Sequence, residues 1–384
     1  MIKFLRNIFL FSLPLAFLYF LPFLVFTSSG EAMSIKKVAE QQLSSSPVLF
    51  GRAYSDVDKN FKILSAKLRG AQVLALGTSR VMNIRSEFFR PEITFYNAGG
   101  GAKESGDLVN FLESLPPEKR PKFIILGTDQ RWFKPGFKPE STDINQVFVL
   151  HRSSTANDPA WEQFFIYGWR KIYLDYFQKK FRLSDVFQNK TDMSQVGLNA
   201  IANGNGFRND GSFYYNDFIN NPDKQTILKS SIDEILARIK PGQNNLEYGS
   251  ELDTKSLQNV EDFLTACKKY HIIVIGYMPP YALVAYQKIQ AIDSLDKAVA
   301  DNLSRTLENL FNHYGFNFYD LSDMKKFGGK DEELIDSQHG SDKTYARIFI
   351  SLAEQDSVLN DFVDSPKLKE ALRLSTDNQQ IFGD

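Results

Sequence analysis

Residues 71–80 read AQVLALGTSR. The unbroken apolar run Val73, Leu74, Ala75, Leu76 fits a strand covered on both faces, as the strands of parallel sheets are. The run stops at Gly77, and a serine follows two residues later. In open α/β sheets ligands bind beyond the carboxyl ends of the strands, which is where Ser79 stands. Gly-Thr-Ser is also ordinary turn chemistry. This stretch alone does not separate a nucleophile from a turn residue.

Working outward, the rhythm repeats. A short helix is expected over Val81–Phe89, then a second strand in ITFYNAG at 93–99 and a helix over Glu104–Leu115. KFIILGTD at 122–129 reads as a third strand, Thr254–Tyr270 as an amphipathic helix, and IIVIGYMP at 272–279 as a fourth strand. A helix through Ser294–His313 leads to FNFYDLS, a fifth strand, and Lys343–Ala353 closes the series. Strands alternating with helices predict an α/β fold with a doubly wound, mostly parallel sheet, flavodoxin-like in outline. The domain is expected over 61–364, preceded by a polar, partly helical stalk at 31–60. The interval 131–250, which includes NAIANGNGFRNDGSFYYNDFINN, breaks the rhythm and reads as a large insertion without its own core. The tail at 365–384 carries one amphipathic turn, LKEALRL, and is expected to fray.

The chain opens MIKFLRNIFLFSLPLAFLYFLPFLVF, with Lys3 and Arg6 followed by an uncharged stretch from Asn7 to Gly30. That length suits a transmembrane helix. It exceeds the apolar core of a cleaved signal peptide, and FTSSGEAMS is a poor cleavage site. Pro14 and Pro22 can kink such a helix without excluding it. Residues 1–30 therefore read as a single-pass signal anchor. The leading positive charges place the terminus in the cytoplasm and the main domain outside.

At 384 residues, 43% hydrophobic and 24% charged, the composition is that of a globular protein. A net charge of -1 without a basic stripe gives no reason to expect nucleic acid. The single cysteine, Cys267, excludes an intrachain disulfide and a multi-cysteine zinc site. It shares an apolar helical face with Leu257, Val260, Phe263 and Leu264 and reads as a small buried residue. His151, His271 and His313 have no second ligand at metal spacing, so no metal is expected. AGGGA lacks the spacing of a phosphate cradle, so no nucleotide cofactor is expected. Trp132, Trp161 and Trp169 can form a sugar platform, with core packing the favoured reading.

Near the carboxyl end comes ELIDSQHGSDKTYARI. Asp336 and His339 lie three residues apart, before a helix that Ser341 or Asp342 can cap. In a turn, that spacing sets a carboxylate against one imidazole nitrogen and leaves the other free. A serine hydroxyl needs such a base, and the base needs such an orienter. Ser79 supplies the third member if both loops reach the same sheet edge.

The blocks LALGTSR, FYNAGGGAKE and DSQH resemble those of the SGNH/GDSL hydrolase superfamily, over roughly residues 70–130 and 255–355. The likeness is greatest to its membrane-anchored branch, which acts on acyl groups of cell-envelope polysaccharides and exopolysaccharides. The resemblance implies Ser79 as nucleophile, His339 as general base and Asp336 as its orienter. It also implies an oxyanion hole from the Ser79 amide and an amide of the Gly99–Ala102 turn, Gly101 or Ala102. Two departures stand out. Ala102 falls where the family often has glycine, a change that keeps the amide. The third block, usually Gly-x-Asn-Asp with a donating asparagine, here reads GTDQRW. An ionised Asp129 cannot donate, so either Gln130 replaces the donor or the hole has two. GFRNDGSFYYN at 206–216 is similar to an Arg-x-Asp-Gly segment of anchored members. It offers Arg208, with Asp210, to an acidic glycan, the plain alternative being a turn. The function so implied is serine-dependent acyl-ester hydrolysis or O-acyl transfer on an envelope or secreted polysaccharide, with a membrane acyl-donor partner. A non-catalytic glycan-binding or assembly protein, or an extracellular signalling or structural protein, remains open on the same scaffold.

Overall fold

The computed structural model describes residues 2–55, 58–137, 164–188, 194–243, 246, 251–291 and 295–383. Its strands are β1 (Val48–Phe50), β2 (Val73–Gly77), β3 (Phe95–Gly99), β4 (Phe123–Gly127), β5 (Ser194–Val196), β6 (Asn205–Phe207), β7 (Phe213–Tyr215), β8 (Ile273–Met278) and β9 (Asn317–Asp320). The chain divides into two compact units, Met1–Leu64 with Glu140–Asn209, and Ser65–Pro139 with Asp210–Asp384.

The second unit is an α/β layer structure. Its sheet runs β3-β2-β4-β8-β9, with every neighbouring pair parallel. β2, β3 and β4 are buried at every position, which is what their continuous apolar runs demand. Counted within this sheet the strand order is 2-1-3-4-5, the order of flavodoxin-like doubly wound sheets, whose switch point lies between the first and third strands. Here those are β2 and β4, and Ser79 follows directly on β2. The helices Asp107–Ser114, Thr254–Lys269, Leu295–His313 and Asp342–Gln355 lie where the periodicity places them, give or take a turn. Val73, Phe123, Ile125 and Ile275 of the sheet share one core with Ile348, Phe349 and Leu352 of the last of these helices.

Three parts of this unit differ from the sequence expectation. The helix expected over Val81–Phe89 is absent, and two 3-10 turns, Ser79–Val81 and Ser86–Phe88, take its place. The cause is Asn97, whose Nδ2 donates to the carbonyls of Val81 and Ile84, each at 2.8 Å, carbonyls that a helix would have used. Residues 210–250 belong to this unit rather than to an insertion without a core. The helix Lys224–Ile239 buries Leu228, Ile235 and Ile239 and packs on the helix Leu283–Ala291. The tail also folds back instead of fraying. Gln379 is fully buried, its Nε2 donating to the Glu332 carbonyl at 2.7 Å while its own carbonyl accepts from the Lys343 amide at 3.1 Å.

In the first unit, the described residues of 31–60, expected as a polar, partly helical stalk, include the helix Ile35–Gln41, but this stretch also contributes buried residues. Glu31 is buried and accepts from the amides of Ala53 and Leu198, each at 2.8 Å. Burial pushes its carboxyl above the usual range, with the Arg52 cation opposing. β1 is buried throughout and pairs with β5 in parallel and with β6 antiparallel. The apolar residues of β1 thus have a partner that lies some 150 residues away in sequence, which local polarity did not reveal. Ile2–Ser28 forms one helix of 27 residues with Pro14 and Pro22 inside it. The side chains of residues 5, 8, 9 and 15–17 are not described, and among the described residues no helix is long and apolar enough to cross a membrane.

Close packing beneath Ser79 depends on a glycine. A Cβ on Gly127, at the end of β4, would lie 2.2 Å from Val81 Cγ1 in the turn that begins at Ser79. Gly127→Ala is expected to lower stability by about 1–3 kcal/mol, as overpacking does. The check is a lower denaturant midpoint with an unchanged slope.

Candidate active site

Ser79 opens the 3-10 turn that follows β2, and Thr78 caps that turn with its hydroxyl facing the Arg80 amide at 3.3 Å. The Ser79 Oγ lies 2.8 Å from His339 Nε2, and His339 Nδ1 lies 2.7 Å from Asp336 Oδ2. All three residues proposed for catalysis from sequence are therefore brought together. With Nδ1 against a carboxylate, the neutral ring carries its proton there and leaves Nε2 as the acceptor for the serine hydroxyl. The Asp336 Oδ1 also accepts from the amides of Gln338, at 2.8 Å, and His339, at 2.9 Å. Burial opposes ionisation of this carboxyl, but His339 and the two amides outweigh it and hold the pKa down to about 2. The loop is closed by the Ile335 amide on the His339 carbonyl at 2.8 Å and by Asn83 Nδ2 on the Gly340 carbonyl at 2.6 Å. Ser341 caps the following helix, accepting from Thr344 at 3.4 Å, while Asp342 is committed to a buried ion pair with Arg85 at 2.9 Å. The Tyr215 ring stands 6.4 Å from the His339 ring.

Arg80, which sequence reasoning missed, organises the loops around the triad. Its side chain is wholly buried and lies 3.8 Å from Asp129. Nε donates to the Gln338 carbonyl at 3.3 Å, beside His339, and Nη1 to Gln130 Oε1 at 2.5 Å. Nη2 donates to the carbonyls of Pro279 at 3.1 Å and Pro280 at 2.5 Å. The guanidinium also stacks 4.7 Å above the Tyr281 ring. Nothing local in GTSR marks this role, because every acceptor lies at least 50 residues away in the chain. Asp129 completes the layer, accepting from Thr78 Oγ1 at 3.1 Å and Arg131 Nη2 at 2.7 Å. Burial would raise its carboxyl, but Arg131 and Arg80 hold it far below the usual range. It stays ionised and donates nothing.

The expected oxyanion hole is only partly present. The Ser79 amide has no partner among the described residues. The Gly101 amide donates to the Ala98 carbonyl at 2.9 Å, and those of Gly100 and Ala102 converge on the Gly77 carbonyl at 2.9 and 3.3 Å. The Gly77 carbonyl draws the glycine turn onto β2, so neither Gly101 nor Ala102 presents a free donor. Gln130 is committed as well, its Nε2 donating to the Pro279 carbonyl at 2.8 Å and to Ser322 Oγ at 3.1 Å.

The Asp-Gly pair at 210–211 is a structural turn. The Asp210 carboxylate accepts from the Ser86 amide at 2.8 Å, the Ser212 amide at 2.9 Å and the Ser212 hydroxyl at 2.7 Å. Gly211 has a φ of 83°, and a Cβ there would meet the Asn97 carbonyl at 2.3 Å. The Asp210 carboxylate expected to face a glycan is thus engaged within its own turn and with Ser86. Arg208 falls in the first unit, half-buried and already engaged. His151 and Trp161 lie outside the described residues. His271 occupies a turn with φ 55°, and His313 packs edge-on against Tyr314. Trp132 is buried with its Nε1 on the Lys103 carbonyl at 3.0 Å, and Trp169 packs against Tyr19 in the first unit. Cys267 is buried, as its helical face implied, and burial pushes its thiol well up.

No protein-family model matches the chain, and no curated protein matches its sequence.

Two outcomes follow from this geometry. Arg80→Lys keeps the charge but not the planar fork that holds several carbonyls at once. It is expected to slow reaction of Ser79 with a fluorophosphonate by about 10- to 100-fold, the scale of a small misplacement of reacting groups. Circular dichroism should show the fold retained. Asp336 is more acidic folded than unfolded, so its contribution to stability is complete above about pH 4 and is lost as pH falls through about 2. Asp336→Asn should therefore lose less stability than the unsubstituted chain between about pH 5 and pH 3, measured by denaturant midpoints at each pH.

Proposed function

We propose that the chain is a serine-dependent acyl-ester enzyme of the SGNH type, held to a membrane by residues 1–30 and acting on acyl groups of an envelope or secreted polysaccharide. The observation that carries this reading is the continuous hydrogen-bonded line from Ser79 Oγ through His339 to Asp336, at 2.8 and 2.7 Å. In the reaction, Ser79 Oγ attacks the ester carbonyl as His339 Nε2 takes its proton. Asp336 stabilises the imidazolium so formed, and the oxyanion develops against the Ser79 amide. Collapse expels the sugar alcohol, which receives the proton from His339 and leaves an acyl-serine. Water resolves that ester in hydrolysis and a second sugar hydroxyl in transfer, His339 again serving as base. Membership in the SGNH group is supported by a strand–Gly-Thr-Ser turn, a strand carrying the buried Asn97, and Asp-x-x-His before the last sheet-packing helix. The parallel order β3-β2-β4-β8-β9 agrees with it.

Membrane attachment is supported by the uncharged run from Asn7 to Gly30 and the continuous helix Ile2–Ser28, about 40 Å long at 1.5 Å per residue. Ile2, Phe4, Leu10, Phe11 and Phe20 are all exposed on it. The internal pairing of Gly101, Ala102 and Gln130 favours a second reading, a glycan-binding protein on the same scaffold with little turnover. The two part on the reactivity of Ser79. Full-length protein in detergent is expected to label with a fluorophosphonate, and Ser79→Ala to abolish the label. His339→Ala and Asp336→Asn should each slow it by roughly three to four orders of magnitude. A folded protein that never labels belongs to the binding reading.

A further inference from the structure

Residues 164–188 carry a surface that the described residues of the first unit leave exposed. Phe164, Ile172, Phe181 and Val186 of this segment enter the core formed with Val25 and Phe26. Yet Phe165, Leu174, Tyr176, Phe177 and Phe187 remain exposed, Phe177 at 74%. Among these exposed rings stand the exposed cations Arg170, Lys179, Lys180 and Arg182. The segment holds five basic residues against two acidic ones. One of the acids, Asp175, is buried under Lys171 at 3.3 Å, Lys180 at 3.1 Å and the Tyr54 hydroxyl at 3.2 Å. Aromatic residues interleaved with cations form the composition of segments that lie in a bilayer interface.

The helix Ile2–Ser28 indicates what covers this surface. Tyr19 packs on Trp169 with ring centroids 4.8 Å apart, and Phe23 and Phe26 pack on Phe164 at 6.5 and 4.7 Å. The segment is therefore continuous with the carboxyl-terminal part of the helix read as the anchor. Pro22 has no N–H, so the carbonyl of Leu18 lacks its helical donor. Tyr173 supplies one, its hydroxyl donating to that carbonyl at 2.9 Å. In water such a carbonyl would be solvated without help, but at membrane depth an orphaned backbone group must find a protein partner. We infer that residues 164–188 seat in the headgroup layer of a bilayer bearing anionic lipid, beside the end of Ile2–Ser28 that leaves the membrane. This rests on the anchor reading above.

The experiment uses the full chain carrying Cys267→Ala and a new cysteine, one at a time, at Leu10, Phe177 or Glu370, each labelled with a nitrobenzoxadiazole fluorophore. The proteins are reconstituted in vesicles of phosphatidylcholine with phosphatidylglycerol. They are then exposed to lipids with a headgroup-proximal nitroxide, to lipids with a chain-centre nitroxide, and to aqueous acrylamide. Position 177 is expected to be quenched by the headgroup-proximal nitroxide and shielded from acrylamide, with 370 behaving oppositely. The lipid quenching at 177 should fall in phosphatidylcholine alone, and an unchanged signal there would overturn the anionic assignment. Quenching of position 10 by chain-centre nitroxide with 177 as acrylamide-accessible as 370 overturns the inference and leaves the anchor standing. A position 10 untouched by either nitroxide removes the anchor, and the inference with it. Shielding at 177 without lipid quenching means that protein covers the surface, which also overturns it.

Discussion

The guanidinium of Arg80 is the constraint around which the edge of the α/β unit that carries Ser79 is arranged. Loops after three different strands end in carbonyls or amides that must be satisfied once the edge is buried. One rigid group, with donors fixed in a plane, meets the carbonyls of Gln338, Pro279 and Pro280 and the amide oxygen of Gln130 together. Because Arg80 is the next residue after Ser79, each of those loops is referenced to the nucleophile. The His339 loop, 260 residues downstream, is thereby held within hydrogen-bond reach of the Ser79 hydroxyl. A lysine offers a point charge and cannot reproduce such a fork.

The same layer sets the electrostatics. Asp129 stays ionised because Arg131 and Arg80 flank it, and the two cations leave one positive charge uncompensated by that carboxylate. That sign is the one that favours a developing oxyanion. It accompanies a short supply of direct donors, since the glycine turn after β3 pairs with Gly77 and Ala98 rather than facing outward. A base and orienter in full register thus sit beside a hole with one free amide.

The first unit poses a different physical problem. Its longest helix contains two prolines, each of which removes a donor that water would otherwise replace. Tyr173 answers the vacancy at Leu18 and ties residues 164–188 to that helix through a contact that matters most where water is scarce. Solubility in water does not explain why five large apolar side chains of this segment face outward among arginines and lysines. The proposed seat in a bilayer interface does.

Much of the α/β unit was legible from local patterns, and so were the three residues that meet at its edge, Ser79, Asp336 and His339. Continuous apolar runs mark strands buried on both faces, and apolar positions at helical spacing mark the covering helices. Asp336 and His339 were readable as a pair because a single turn brings them together. The buried helix Lys224–Ile239 was also there to be read, since Ile227, Leu228, Ile232, Ile235, Leu236 and Ile239 follow helical spacing. It was obscured by the turn-rich sequence before it. Other features had no local signature. Asn97 dissolved an expected helix by taking two of its carbonyls, β1 found its partners far along the chain, and Gln130 and the Gly101–Ala102 amides turned to internal acceptors. The sequence by itself determined the strands of the parallel sheet, the uncharged amino-terminal run and the candidate residues Ser79, Asp336 and His339. Only the tertiary structure decided which donors remain free and what holds the triad in register, because hydrogen bonds between residues far apart in the chain leave no periodicity to read.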